Sequence, residues 1–186
     1  MTFLANRPPQ LSGNKYVADM SRGFVKEDDL EHAGTDLPER PVSSHPNYVT
    51  PTGLVQLELQ AQALEQERQI LKQRKDDPTA FQRFGVVERD LRYISARLEN
   101  AILVEPALQD QHTVLFGAQV KVEDETGEIS QFLIVGEDEA NIAEHKVSYL
   151  SPIARALIGR KVGDSVVWQR PAGNLHLDII EIHYGK

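Results

Sequence analysis

Two stretches of the chain repeat apolar residues at spacings of three and four. In the first, Leu54, Leu57, Ala61, Leu64 and Leu71 follow a heptad seam whose one polar interruption is Arg68. Thr50 suits an N-cap and Pro51 fills the first helical position, where a missing N–H costs nothing. The pattern predicts a helix from Pro51 that stops before Pro78, because the residue preceding a proline disfavours the α region. In the second, Phe84, Val87, Leu91, Ile94, Leu98 and Ala101 skip no seam position, which predicts a helix closed by Pro106. Gly85 weakens its first turn. A short Asp76-Asp77-Pro78 connection joins two seams of similar length. That favours an antiparallel αα-hairpin over a coiled-coil dimer built from one helix.

From about Thr113 the period changes to two. Val114, Phe116, Val120 and Val122 fit one strand, with Gly117 as a bulge, and Ile129 to Val135 returns after an Asp124–Gly127 turn. Lys146 to Leu150 is a short strand. Ser151 then caps a short helix that opens on Pro152 and stops at Gly159. Two more strands, Ser165 to Gln169 and Leu175 to Tyr184, flank a Pro171–Asn174 turn. The whole is an α+β chain: a helical hairpin over residues 48–106, then a small antiparallel sheet with one short helix over 107–186. Residues 1–47 hold Pro8, Pro9, Pro38, Pro41 and Pro46 and no sustained period, and read as a largely disordered extension. Within it Met20 is a second possible translation start, and Phe24 and Val25 offer a short docking peptide as the alternative to plain disorder.

Composition narrows the function classes. The absence of cysteine excludes disulfides, thiolate metal sites and a Cys nucleophile. No two of His32, His45, His112, His145, His176 and His183 stand at the i+3 or i+4 spacing of a helical zinc site. A net charge of −8 argues against nucleic acid as the primary partner, since duplex binding needs a cationic footprint. No apolar run is long enough to span a membrane, and no signal-peptide pattern is present, so a cytoplasmic protein is expected.

Four short motifs carry a family resemblance: Phe116-Gly117-Ala118, the run from Ile134 to Ala140, the run from Ser151 to Gly159, and Val162-Gly163-Asp164. In order and spacing they resemble the C-terminal domain of the bacterial GreA/GreB transcription elongation factors. Tyr48 to Gly53 resembles the start of that family's coiled coil. The resemblance covers Tyr48 to Tyr184 and implies an FKBP-like C-terminal domain. It also implies a monomeric accessory factor that is not itself an enzyme and binds no specific DNA sequence. Its partner would be core RNA polymerase, met at the β′ subunit on the rim of the secondary channel, with the hairpin directed toward the catalytic magnesium. The contact segment carries over to Ser151, Pro152, Ile153, Ala154 and Arg155. The family usually has Asn or Asp before that serine, where this chain has Leu150.

Cleavage-competent members carry an acidic motif of the type Gly-Asp-Leu-x-Glu-Asn-Ala-Glu-Tyr at the hairpin tip. It helps hold the polymerase's second magnesium, a hard ion that takes carboxylate oxygens in a two-metal displacement. The resemblance implies no cofactor bound by the factor alone. The present tip reads Lys75-Asp76-Asp77-Pro78 instead, so Asp76 and Asp77 are either magnesium ligands or ordinary turn and cap residues. The first arm is also about one heptad shorter than the family's. At about 1.5 Å per residue this withdraws the tip by roughly 10 Å, whereas a magnesium ligand must stand about 2.1 Å away. A polymerase-binding regulator without efficient cleavage is therefore the expectation. A cleavage stimulator using Asp76 and Asp77 is the alternative. A peptidyl-prolyl isomerase, with Phe116, Phe132, Tyr149, Trp168 and Tyr184 as its aromatics, is a minor one.

Overall fold

The structure is a computed structural model and describes residues 37–74 and 76–185. The alternative start at Met20, the Phe24-Val25 docking peptide and most of the extension lie outside the described residues.

Helix α1 (Pro51–Lys72) and helix α2 (Pro78–Glu99) form the antiparallel hairpin within one chain. Thr50 caps α1 by accepting from the Gly53 amide at 2.9 Å. Leu57 and Ile94 are buried at the base of the seam beside Val49, with Leu54, Ala61, Leu64 and Leu98 packed around them. Toward the tip the seam still buries Val87 and Ala80, and ion pairs flank it. Arg83 holds Glu67 through two nitrogens, at 2.6 and 2.8 Å, and Arg68 bridges Glu65 and Glu88.

The second helix ends before Pro106. Asn100 closes it at Glu99, its side-chain amide donating to the Ala96 carbonyl at 2.9 Å. Ala101 thus leaves the seam for a three-residue strand, β2 (Ala101–Leu103), which pairs in parallel with β1 (Asn47–Val49). Both helix ends therefore start from one small sheet at the hairpin base.

The remaining strands are β3 (Ala118–Asp124), β4 (Ile129–Val135), β5 (Lys146–Ser148), β6 (Ser165–Trp168) and β7 (Leu175–Tyr184). They form one sheet in the order β5-β4-β3-β7-β6. The β4–β5 pair is parallel, so the sheet is mixed rather than purely antiparallel. The short loop Gly136–His145 lets β5 re-enter beside β4 in the same direction. Strand β3 begins at Ala118, later than the alternation suggests. Gly117 sits at φ +84°, outside the β region, and Val114 instead pairs its backbone with Gly159 and Arg160. The bulge lies in β7, where Ile180 is the extra residue between the partners of Lys121 and Val122. Helix α3 (Pro152–Leu157) buries Ile153, Ala154 and Leu157 against Val120, Val122, Ile134 and Ile179 of the sheet. The Tyr184 hydroxyl pins the loop before β3 by accepting from the Leu115 amide and donating to the Thr113 carbonyl.

Candidate functional site

Three places bear on function: the hairpin tip, the start of α3, and the joint between hairpin and sheet. At the tip, Asp77 is the N-cap of α2. Its Oδ1 accepts from the Thr79 amide at 2.9 Å and from the Ala80 amide, while Arg74 donates to Oδ2 at 2.9 Å. Both oxygens are thus engaged within the hairpin. Asp76 stands exposed beside it. A magnesium ion can take a single carboxylate when other oxygens and waters complete its shell, so the exposed Asp76 is free for that role, whereas an ion on Asp77 would have to displace Arg74 from Oδ2 or disturb the cap at Oδ1. Among the described residues no group of three or more His, Asp or Glu is placed to hold a metal.

The segment Ser151–Arg155 divides in two. Ser151 caps α3 by accepting from the Ala154 amide at 3.2 Å, and Ile153 and Ala154 are in the core. Pro152 and Arg155 are exposed, which leaves these two side chains available to a partner. The aromatics named for an isomerase cleft are engaged in packing. Phe132 packs on Trp168, Phe116 packs with Tyr48 and Tyr149, and Tyr184 is in the core.

The joint is the feature that reading the sequence missed. Arg97, on α2, is only 2% exposed. Its Nε donates to Asp138 at 2.6 Å and its Nη2 faces Glu137 at 3.4 Å. The Tyr93 hydroxyl, one helical turn away, donates to the other Asp138 oxygen at 2.6 Å. Burial first, and then the Asp138 carboxylate, push the Tyr93 phenol up to about 12. Next along, the hydroxyl of Thr50 donates to Glu139 Oε2 at 2.6 Å while capping α1. Three consecutive acids after β4 therefore clamp both helices of the hairpin. Two glycines permit the approach. A Cβ on Gly53 would stand 2.6 Å from Glu139 Oε2, and one on Gly136 would stand 2.5 Å from the Tyr48 carbonyl oxygen. The sequence signal was present in the acidic run Glu137-Asp138-Glu139 and in an arginine set between Ile94 and Leu98, but charged residues ordinarily read as solvent-facing.

Residues 37–47 lie along the same joint. Arg92 holds the Glu39 carboxylate, the Arg40 guanidinium stacks 3.7 Å over the Tyr93 ring, and the Asn47 side chain donates to the Arg97 carbonyl at 2.7 Å. The last part of the extension thus packs against α2.

A sequence profile described as the C-terminal domain of the transcription elongation factors GreA/GreB matches residues 109–184. Transcription elongation factor GreA of Halorhodospira halophila is 40% identical over 128 residues, covering 68% of this chain and 81% of that protein. GreA of Nitratidesulfovibrio vulgaris is 32% identical over 146 residues, covering 71% of this chain and 90% of that protein. The crystal structure of GreA factor homolog 1 of Thermus thermophilus aligns with 75% of this chain and 99% of its own, at 26% identity and a TM-score of 0.37.

Proposed function

Because the chain belongs to the GreA/GreB family of transcription elongation factors, we propose that it regulates elongation by binding RNA polymerase without efficiently stimulating transcript cleavage. In this reading the sheet domain docks at the rim of the secondary channel on the β′ subunit, with Pro152 and Arg155 in contact, and the hairpin points toward the active site. The factor acts as a monomeric accessory protein in the cytoplasm; among the described residues no helix is long and apolar enough to cross a membrane.

The observation that carries the non-cleaving reading is the double engagement of Asp77, one oxygen as helix cap and the other on Arg74. A carboxylate used this way is a poor ligand for a shared magnesium, because the ion would have to displace Arg74 from Oδ2 or compete with the capped amides for Oδ1. The exposed carboxylate of Asp76 supports a second reading, in which that one residue recruits the ion and cleavage proceeds. A cleavage assay on backtracked complexes separates the two. Binding to polymerase with cleavage no faster than polymerase alone is the expected result. Robust cleavage that Asp76→Ala abolishes and Asp77→Ala leaves largely intact supports the second reading instead.

A further inference from the structure

The chain reaches β1 along α2. Asn47 donates to the Arg97 carbonyl at 2.7 Å, and the Arg40 guanidinium stacks 3.7 Å over the Tyr93 ring and lies 3.8 Å from Asp90. Two nitrogens of Arg92 hold the Glu39 carboxylate. Residues 39–47 therefore follow about two turns of the helix. At the end near β1, the Tyr149 hydroxyl donates to the Pro46 carbonyl at 2.6 Å. Tyr149 follows β5 and precedes the Ser151 cap, and its ring packs edge-on against Tyr48 and Phe116. One segment thus touches the hairpin and the sheet domain at once. Pro38, Pro41 and Pro46 each fix φ, which makes it a stiff bar rather than a slack tether.

We infer that residues 38–47 are a positioning strap, which fixes the direction in which the hairpin leaves the sheet domain. The Asp138 clamp takes Tyr93 and Arg97, which stand four apart on one face of α2. A helix held on one face can rock away from it. Arg92 stands about 100° around the axis from Tyr93, and the strap holds it there through Glu39, on a second side. Leverage makes a small rock matter. At about 1.5 Å per residue the 22 residues of α2 span about 33 Å, so a pivot of about 10° at the base carries the tip about 6 Å. A single exposed ion pair contributes little, and Glu39–Arg92 is exposed on both sides. The strap holds because its contacts act in series on one stiff segment, each raising the effective concentration of the next. Its use in function rests on the polymerase-binding reading: a hairpin already held in one direction enters a channel without losing that freedom on binding.

The test uses the full chain. It has no cysteine, so cysteines introduced at the exposed positions Gln82 and Glu125 take nitroxide labels without background. Double electron–electron resonance then reads the distance from the hairpin tip to the sheet domain. The labelled chain should give one narrow distribution. Glu39→Arg, which sets an arginine against Arg92, and Tyr149→Phe, which removes only the hydroxyl, should each broaden it. Adding Arg92→Glu to Glu39→Arg should restore the narrow distribution, which a general loss of stability would not do. Affinity for core polymerase should follow the same order: roughly fivefold weaker in the single variants, equivalent to about 1 kcal/mol, and regained in the charge swap. Distributions that stay narrow in both single variants, or a charge swap that restores nothing, overturn the strap. Distributions that broaden while binding holds at the unsubstituted level overturn its positioning role. Failure of the unsubstituted chain to bind polymerase overturns the reading beneath, with the distances still deciding the strap.

Discussion

Arg97 and Asp138 form a buried ion pair across the joint, Nε to carboxylate at 2.6 Å, with the guanidinium 2% exposed. The pair ties α2 to the loop after β4, so the direction in which the hairpin leaves the sheet depends on it. Removing one member leaves the other charged and out of water, which typically destabilises by about 3–5 kcal/mol. Arg97→Met and Asp138→Leu should each lose stability of this order in denaturant unfolding, whereas the double substitution should lose clearly less than their sum. Additive losses would show that the two residues act independently.

The Tyr93 phenol gives the joint an alkaline limit. Its pKa is raised to about 12 in the fold, against about 10 in the unfolded chain. Between these values the folded state holds a proton that the unfolded state has released. This contribution to stability is therefore complete below about pH 10 and falls as the pH climbs toward 12. Ultraviolet titration should show Tyr93 ionising late, together with Tyr149 and Tyr184, whose phenols burial also raises. Tyr93→Phe should remove one phenol from the high-pH limb and lessen the alkaline decline in stability; a high-pH limb of unchanged amplitude would show that Tyr93 is not among the late phenols.

Periodicity exposed the hairpin, because the apolar seam alternates by three and four along both helices and Thr50 and Pro51 mark the first start. It also exposed β4, β7 and the Ser151 cap. It overran wherever a local contact competes with the pattern. Ala101 continues the α2 spacing, yet Asn100 closes the helix and Ala101 pairs as a strand. Val114 and Phe116 continue the β3 alternation, yet Gly117 at φ +84° breaks the strand. Three-residue strands such as β1 and β2 are too short to show a period. The joint was the least legible part, since nothing in a one-dimensional pattern distinguishes a buried, paired arginine from an exposed one. At the tip, the sequence offered capping and metal binding for Asp77 side by side, and its hydrogen bonds display the capping role.

The two close-packed glycines should respond differently to alanine. At Gly136 the new Cβ meets the Tyr48 carbonyl oxygen at 2.5 Å, and that oxygen belongs to a strand backbone with little freedom to move. Gly136→Ala should therefore destabilise by about 1–3 kcal/mol, the usual range for overpacking. At Gly53 the obstacle is the Glu139 side chain, which can swing aside at the expense of its bond from Thr50. Exchanging glycine for alanine inside a helix recovers up to about 1 kcal/mol, so Gly53→Ala should be the milder change. Parallel thermal unfolding of the two variants checks the order; a larger loss at Gly53 would contradict it.

The adjacent aspartates at the tip should separate cleanly in stability. Asp77 caps α2 through Oδ1 and holds Arg74 through Oδ2. Asp77→Ala should lose about 1 kcal/mol, the typical value of an N-cap, and raise amide exchange at Thr79 and Ala80, whose N–H groups it accepts. Asp77→Asn should retain most of the cap, because its carbonyl oxygen still accepts from those amides. Asp76→Ala removes an exposed carboxylate and should fall within about 0.5 kcal/mol of wild type, as surface substitutions usually do. Hydrogen exchange at the start of α2 is the deciding measurement. Faster exchange with Asp76→Ala than with Asp77→Ala would move the cap to the other residue and release Asp77 for an ion.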